Sequence, residues 1–151
     1  ETLEDFLGQS HIMGLSGALR GFIERDHYPS LLFYGPPGCG KTTVAQLIAK
    51  KTQAGFISLS AVQSGVALIK EAVEKSKSHS IQCGKPSILF IDEIHRFNKL
   101  QQDALLPYVE SGQIKLIGAT TENPFFQINA ALLSRLRVVR FEPKESLSHH
   151  D

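Results

Sequence analysis

The stretch Leu31-Leu32-Phe33-Tyr34-Gly35-Pro36-Pro37-Gly38-Cys39-Gly40-Lys41-Thr42-Thr43 decides the fold. An apolar run of strand type enters a glycine-rich loop, which closes on Gly-Lys-Thr where a helical pattern begins. The stretch matches G-x-x-x-x-G-K-[ST] at every fixed position, in the strand–loop–helix context that gives the motif its meaning. Its physical content is a phosphate cradle. Gly38 and Gly40 allow backbone conformations closed to other residues, so successive N–H groups can turn inward. Those donors and the positive end of the following helix bind an anion. Lys41 adds a point charge for the outer phosphates, and the Thr42 hydroxyl can enter a Mg²⁺ shell. Gly35 to Thr43 is therefore the expected nucleotide-triphosphate site. Within it Cys39 contributes only backbone.

Outward from the loop, strand-like and helical patterns alternate. Ile12, Leu15, Leu19, Phe22 and Ile23 share one helical face before His27-Tyr28-Pro29, and Ser30 to Tyr34 is the first strand. Thr42 to Lys51 is helical, with Lys50 and Lys51 at the end the dipole favours. Gly55 to Leu59 reads as a strand and Val66 to Ser76 as an amphipathic helix; polar Lys77 to Pro86 reads as a loop. Ser87-Ile88-Leu89-Phe90-Ile91 suits a strand buried on both faces. A short helix over Leu100 to Leu106 is expected to end near Pro107, followed by a strand over Ile114 to Thr120. A short helix over Asn129 to Leu133 and a strand over Val138 to Phe141 complete the pattern. The alternation predicts an α/β fold: a three-layer αβα P-loop sandwich on a five-stranded parallel sheet, with right-handed crossovers. The site belongs at the carboxyl ends of the strands.

Composition narrows the class. The 151 residues fit one domain with a real core. The apolar share of 42% is ordinary, and a formal charge of +1 argues for no strong global field toward nucleic acid or membrane. No apolar run reaches spanning length and no signal peptide is evident, so no membrane partner is expected. Two cysteines, Cys39 and Cys83, are too few for a disulfide framework and lack metal-ligand spacing; a reducing, intracellular compartment fits. The chain begins at Glu1 and ends at Asp151 in polar sequence, which reads as a piece of a longer protein.

The second half of the site is Asp92-Glu93, delivered by Ile88-Leu89-Phe90-Ile91. Asp92 is the expected metal holder and Glu93 the group that polarises the attacking water. Either acid alone also fits a helix cap followed by a first-turn acid. The fourth strand ends in Ile117-Gly118-Ala119-Thr120-Thr121, where a hydroxyl can face the terminal phosphate or simply close the strand. Arg135 and Arg137 read on spacing as dipole-favoured basic residues. His95 has no second ligand at metal spacing and reads as a local packing or hydrogen-bonding residue. A GTPase is disfavoured: Asn98-Lys99-Leu100-Gln101 lacks the guanine-reading acid, and Asp92 is not followed by the Asp-x-x-Gly switch.

With these residues in place the chain resembles the AAA+ ATPases. More narrowly it is similar to the replication-associated recombination protein A family, whose eukaryotic relatives are the Werner helicase-interacting ATPases. The resemblance rests on Leu7-Gly8-Gln9, residues 34–43, Asp92-Glu93-Ile94-His95-Arg96-Phe97-Asn98-Lys99, Gln101-Gln102-Asp103, residues 116–124 and Ala131 to Arg135. It implies that Thr121 is the first sensor at the γ-phosphate. It also implies that Arg135, with Arg137 as the alternative, is an arginine finger acting on a neighbouring subunit's nucleotide, and that Leu7, Gly8 and Gln9 lie against the adenine. The implied cofactors are ATP and Mg²⁺. The implied partners are further copies of the chain in a ring-like oligomer, DNA at single-strand/duplex junctions, and replication and repair proteins. The compartment is the bacterial cytoplasm at the nucleoid, or the nucleus. Residues 1–142 form the ATPase core and 143–151 begin the linker to a helical lid, without which turnover is expected to be weak. The function implied is ATP-driven remodelling of DNA or DNA-bound proteins in fork maintenance, recombination and repair. A clamp-loader-like or Holliday-junction-motor-like subunit is the alternative, and a passive nucleotide-binding scaffold is the reading from a different class. Arg96 and Lys99 are candidates for DNA or intersubunit contact, or for a solvated face.

Overall fold

The computed structural model describes residues 29–38, 40–62 and 65–141. The adenine-facing segment at 7–9, the helical pattern from Ile12, Cys39 and the boundary at 142 lie outside the described residues. Chain order is β1 (Leu31–Tyr34), α1 (Lys41–Thr52), β2 (Phe56–Ser60), α2 (Val66–Cys83), β3 (Ser87–Asp92) and a 3₁₀ turn (Ile94–Arg96). Then come α3 (Lys99–Ser111), β4 (Ile114–Thr120), the one-turn helices α4 (Pro124–Gln127) and α5 (Ala130–Leu133), and β5 (Arg137–Arg140). The five strands form one sheet in the order β2-β3-β4-β1-β5. Every neighbouring pair is parallel.

Side chains alternate across each strand, and the core divides accordingly. Leu31, Phe33, Ile88, Phe90, Ile117 and Ala119 face α1, where Val44, Ala45 and Ile48 meet them. Leu32, Leu89, Ile91 and Leu116 face the other way, toward Ile69 and Val73 of α2, Leu105 and Val109 of α3, and Leu132 of α5. Crossover handedness explains the division. The chain leaves β1 for the far edge through α1, then returns across the sheet through α2 and α3, so right-handed connections put α1 on one face and the others opposite. Because both faces are covered, β1 and residues 88–91 of β3 are apolar without alternation, whereas the edge strands β2 and β5 carry polar residues.

Three elements depart from sequence expectation. The expected loop at Lys77 to Pro86 is mostly helix, because α2 continues to Cys83. No Gly or Pro interrupts 77–83, and Gly84 in the left-handed region (φ 75°) ends the helix, its N–H donating to Ser80 O at 2.8 Å. The apolar stripe fades here because Ile81 is 82% exposed, so periodicity gave no signal. Pro107, expected to end its helix, lies inside α3, which runs on to Ser111. Proline removes one backbone donor, but burial of Leu105 and Val109 on either side carries the helix past it. Helix α4, not expected at all, starts at an Asn-Pro signal: Asn123 Oδ1 accepts from Phe125 N at 3.0 Å, with Pro124 at the first helical position.

Candidate functional site

Strand register brings the motifs to one edge. Tyr34 pairs with Thr120, and Ile91 pairs with Gly118, so β1, β4 and β3 end almost level. The direction of exit reverses between β1 and β4, since β1 leads to α1 on one face and β4 to α4 and α5 on the other. This is the switch point at which parallel sheets hold ligands.

The phosphate loop follows β1. Gly38 (φ 80°) and Gly40 (φ 85°) both adopt the left-handed region that the motif requires. Gly35 serves a different purpose: a Cβ there would come within 2.8 Å of Phe141 Cβ and 2.9 Å of Phe141 O. Its N–H donates to Thr120 O at 3.1 Å, tying the loop to the tip of β4. At the start of α1, Gly40 provides no side-chain cap and the first turn carries no acid. The positive helix end therefore faces the loop with no acid of its own first turn against it. Lys41 is buried and reaches back over the loop, donating from Nζ to Gly35 O at 2.6 Å and Pro36 O at 3.0 Å. Thr42 and Thr43 are exposed at the same helix end.

The acidic pair ends β3. Asp92 continues the alternation of Ile88 and Phe90, which places its side chain on the α1 side of the sheet, the side of the phosphate loop. Glu93 breaks that alternation with left-handed backbone angles (φ 54°, ψ 46°). Such a conformation in a residue with a side chain costs about 1–3 kcal/mol and persists where surrounding structure enforces it. Here Ile94, fully buried, and Phe97 anchor the turn in the core. The chain thus bends at Glu93, and the alternation that sets the side of Asp92 does not extend to it.

No group of three or more His, Cys, Asp or Glu side chains with metal-site geometry occurs among the described residues. Magnesium does not need one. It favours one or two carboxylates, waters and phosphate oxygens. Asp92 and the Thr42 hydroxyl are oxygen donors of that kind and fit such an ion.

Arg135 is not brought to this edge. It follows α5 on the opposite face of the sheet, and β5 begins level with Leu31, at the amino end of β1. Its Nη2 pairs with Glu110 Oε2 at 2.5 Å, and Nη1 donates to Ser134 Oγ (2.8 Å) and Ala131 O (3.3 Å). Arg137 is exposed at the same end. Arg96 and Lys99 are exposed as well, and Lys99 lines a groove of about 760 Å³ with His95, Phe125 and Phe126 among others. Lys115, whose pKa burial lowers from 10.5, lies on β4 at the amino-end side of the sheet, remote from the loop.

Two buried polar residues tie adjoining segments together, Gln102 in α3 and Thr120 at the tip of β4. Gln102 is buried; its Nε2 donates to Phe97 O and Gln127 O, both at 3.0 Å, and its Oε1 accepts from Asn129 N at 2.6 Å. Thr120 Oγ1 lies 2.9 Å from His95 Nδ1. The cap of α3 did carry a signal, Asn followed three residues later by Gln. Asn98 Oδ1 accepts from Gln101 N and Gln101 Oε1 from Asn98 N, both at 2.8 Å.

Comparison with known proteins places this geometry. Residues 31–144 match the family model described as ATPase family associated with various cellular activities (AAA). The chain is 53% identical over 147 residues to an ATPase WRNIP1 of Dictyostelium discoideum, covering 96% of this chain and 17% of that protein. It is 50% identical over 138 residues to replication-associated recombination protein A of Escherichia coli K12, covering 91% of this chain and 31% of that one. Among solved structures, the Thermotoga maritima RuvB Holliday junction branch migration motor superimposes with a TM-score of 0.71 and 31% identity, over 93% of this chain and 47% of that one. The chain thus spans a third or less of the length of these curated relatives.

Proposed function

Because the chain belongs to the AAA family of ATPases, we propose that it is the nucleotide-binding core of an oligomeric protein that hydrolyses ATP to remodel DNA or DNA-bound proteins during replication, recombination and repair. The observation that carries the ATPase reading is the shared edge. A loop with left-handed Gly38 and Gly40, an uncapped helix start and the buried Lys41 ammonium stands level with Asp92 and Glu93. The replication and recombination role rests on relatives that bear that description at 50% identity. The RuvB likeness at 31% favours, as a second reading, a Holliday-junction-motor-like subunit.

Within the site, each residue has a separable task. The loop N–H groups and the start of α1 hold the phosphates. Lys41 exchanges the carbonyls of Gly35 and Pro36 for phosphate oxygens. Asp92 and Thr42 hold Mg²⁺, which would neutralise charge developing on the phosphoryl oxygens. Glu93 polarises water for in-line attack. Thr121 lies one residue beyond the strand end. Alternation carried past Thr120 points its side chain to the α1 side, which supports the sensor role. Arg135, remote from its own loop, acts on the nucleotide of the next subunit. Leu7, Gly8 and Gln9 contact adenine, and the core at 1–142 leads into a lid. DNA at single-strand/duplex junctions, together with replication and repair proteins, completes the partners, in the bacterial cytoplasm at the nucleoid or in a nucleus. No helix among the described residues is long and apolar enough to cross a membrane.

The test is ATPase rate of the full-length protein with and without single-stranded, duplex and forked DNA, beside Lys41→Ala. Turnover lost in the variant is the expected result. Equal turnover by Lys41→Ala, or nucleotide binding by the wild type with no turnover on any DNA, contradicts the proposal, and the latter favours a passive scaffold.

A further inference from the structure

Thr120 is the last residue of β4, almost fully buried, and both its backbone carbonyl and its hydroxyl are engaged. Its carbonyl accepts from Gly35 N, the first residue of the phosphate loop, at 3.1 Å. Its Oγ1 accepts from Glu122 N at 3.0 Å, and lies 3.2 Å from Glu122 O and 2.9 Å from His95 Nδ1. A hydroxyl has one proton and two accepting lone pairs. With one lone pair taken by Glu122 N, the hydroxyl's single proton serves either Glu122 O at 3.2 Å, leaving a lone pair for an Nδ1–H donor, or an unprotonated Nδ1 at 2.9 Å; in both cases His95 and Thr120 are hydrogen-bonded. That bond joins two pieces of the site that the sequence keeps apart. His95 stands two residues beyond Glu93 in the turn opened by its left-handed backbone, and Thr120 immediately precedes Thr121. The turn and the strand also approach closely: a Cβ on Gly118 would lie 3.1 Å from Ile94 Cδ1.

We propose that His95 is a positioning residue, which through the hydrogen bond between Nδ1 and Thr120 Oγ1 locks the tip of β4 to the acidic turn and so fixes Thr121 relative to Glu93. The inference rests on the hydrolysis reading given above. Thr120 is the joint of the site: its carbonyl holds the phosphate loop, its hydroxyl holds the acidic turn through His95, and its own chain carries Thr121. The lock involves no residue of the phosphate loop's anion-binding face, so it bears on the chemical step and not on nucleotide affinity.

The experiment uses the full-length protein and compares His95→Ala, His95→Asn, Thr120→Val and the double variant His95→Ala/Thr120→Val. Small misplacement of reacting groups costs up to about a hundred-fold, so His95→Ala is expected to lower kcat by about ten- to a hundred-fold. Its affinity for a non-hydrolysable ATP analogue should stay within about twofold, the pattern of an interaction made at the transition state. Asparagine keeps an amide that can donate or accept near the place of Nδ1 and should restore most of the loss. Thr120→Val should show at least the same defect, since it also loses the bonds to Glu122, and the double variant should be no worse than Thr120→Val alone, because the His95 bond is already absent there. Nitrogen-15 NMR of the imidazole should show an Nδ1 resonance that moves in Thr120→Val. A wild type that turns over beside an equally active His95→Ala overturns the inference alone, as does an equal loss in alanine and asparagine variants. A wild type that binds ATP and never hydrolyses it overturns the hydrolysis reading and the inference with it.

Discussion

At the carboxyl edge of the sheet, position is set by backbone: left-handed Gly38, Gly40 and Glu93, and the Gly35–Thr120 hydrogen bond. At the corner of Arg135 it is set by side chains in solvent. The Arg135 and Glu110 side chains are each 43% exposed, and the guanidinium is otherwise held by Ser134 and Ala131 from its own turn. The contrast separates two kinds of functional group. Those proposed to act on the nucleotide of the same chain sit where the packing of the fold puts them, Lys41 exchanging the carbonyls of Gly35 and Pro36 for phosphate. The one proposed to act on a neighbour is a surface group held only loosely, as a residue that must exchange partners on assembly has to be.

Substitutions can break this contrast, beginning with the largest effect. Arg135→Ala should lower kcat of the assembled protein by about 10³-fold or more, the scale of arginine fingers, while leaving nucleotide binding intact. Steady-state turnover beside equilibrium binding reads this, and a matching loss of affinity would place Arg135 in its own chain's site instead. Glu93→Gln should cost about 10²–10⁴-fold in kcat, as expected of a general base, without loss of ATP binding. Single-turnover kinetics on the bound complex isolates that step. Gly35→Ala tests the packed edge. Forcing a Cβ against Phe141 should destabilise the fold by about 1–3 kcal/mol, read as a lower denaturant midpoint at unchanged slope. Glu110→Gln is the smallest. Exposed pairs contribute about 0–1 kcal/mol, less at high salt, so thermal stability should hardly move. A large loss of stability there would show that the Arg135 corner is as firmly built as the phosphate edge.

How much of this the sequence discloses follows the same line. The phosphate loop is local: its glycines, lysine and flanking strand lie within one short stretch, so pattern and physics coincide. The acidic pair is legible because a fully buried strand announces itself as an unbroken apolar run. The bend at Glu93 is not, since nothing in Asp-Glu-Ile-His marks a left-handed residue. The His95–Thr120 and Arg135–Glu110 contacts each join residues 25 positions apart, where only the sheet order decides who meets whom. Helix ends failed for a related reason. Past Ser76 the continuation of α2 is held by polar links, Ser80 Oγ accepting from Ser87 N at 2.8 Å and Lys77 lying over the Tyr108 ring, and these leave no apolar stripe. Pro107 misled because packing of Leu105 and Val109 outweighs a local breaker.

In the proposed assembly one chain supplies Lys41, Asp92 and Glu93 to its nucleotide and a second chain supplies Arg135. ATP turnover in mixtures of Arg135→Ala and Glu93→Gln full-length subunits, followed across mixing ratios, tests it most directly. Each variant alone is inactive, but a mixed interface can pair an intact Glu93 with an intact Arg135. Activity that is near zero at both ends and rises to a maximum at intermediate ratios is the predicted result. A flat baseline at every ratio, with mixed oligomers shown to form, would contradict it.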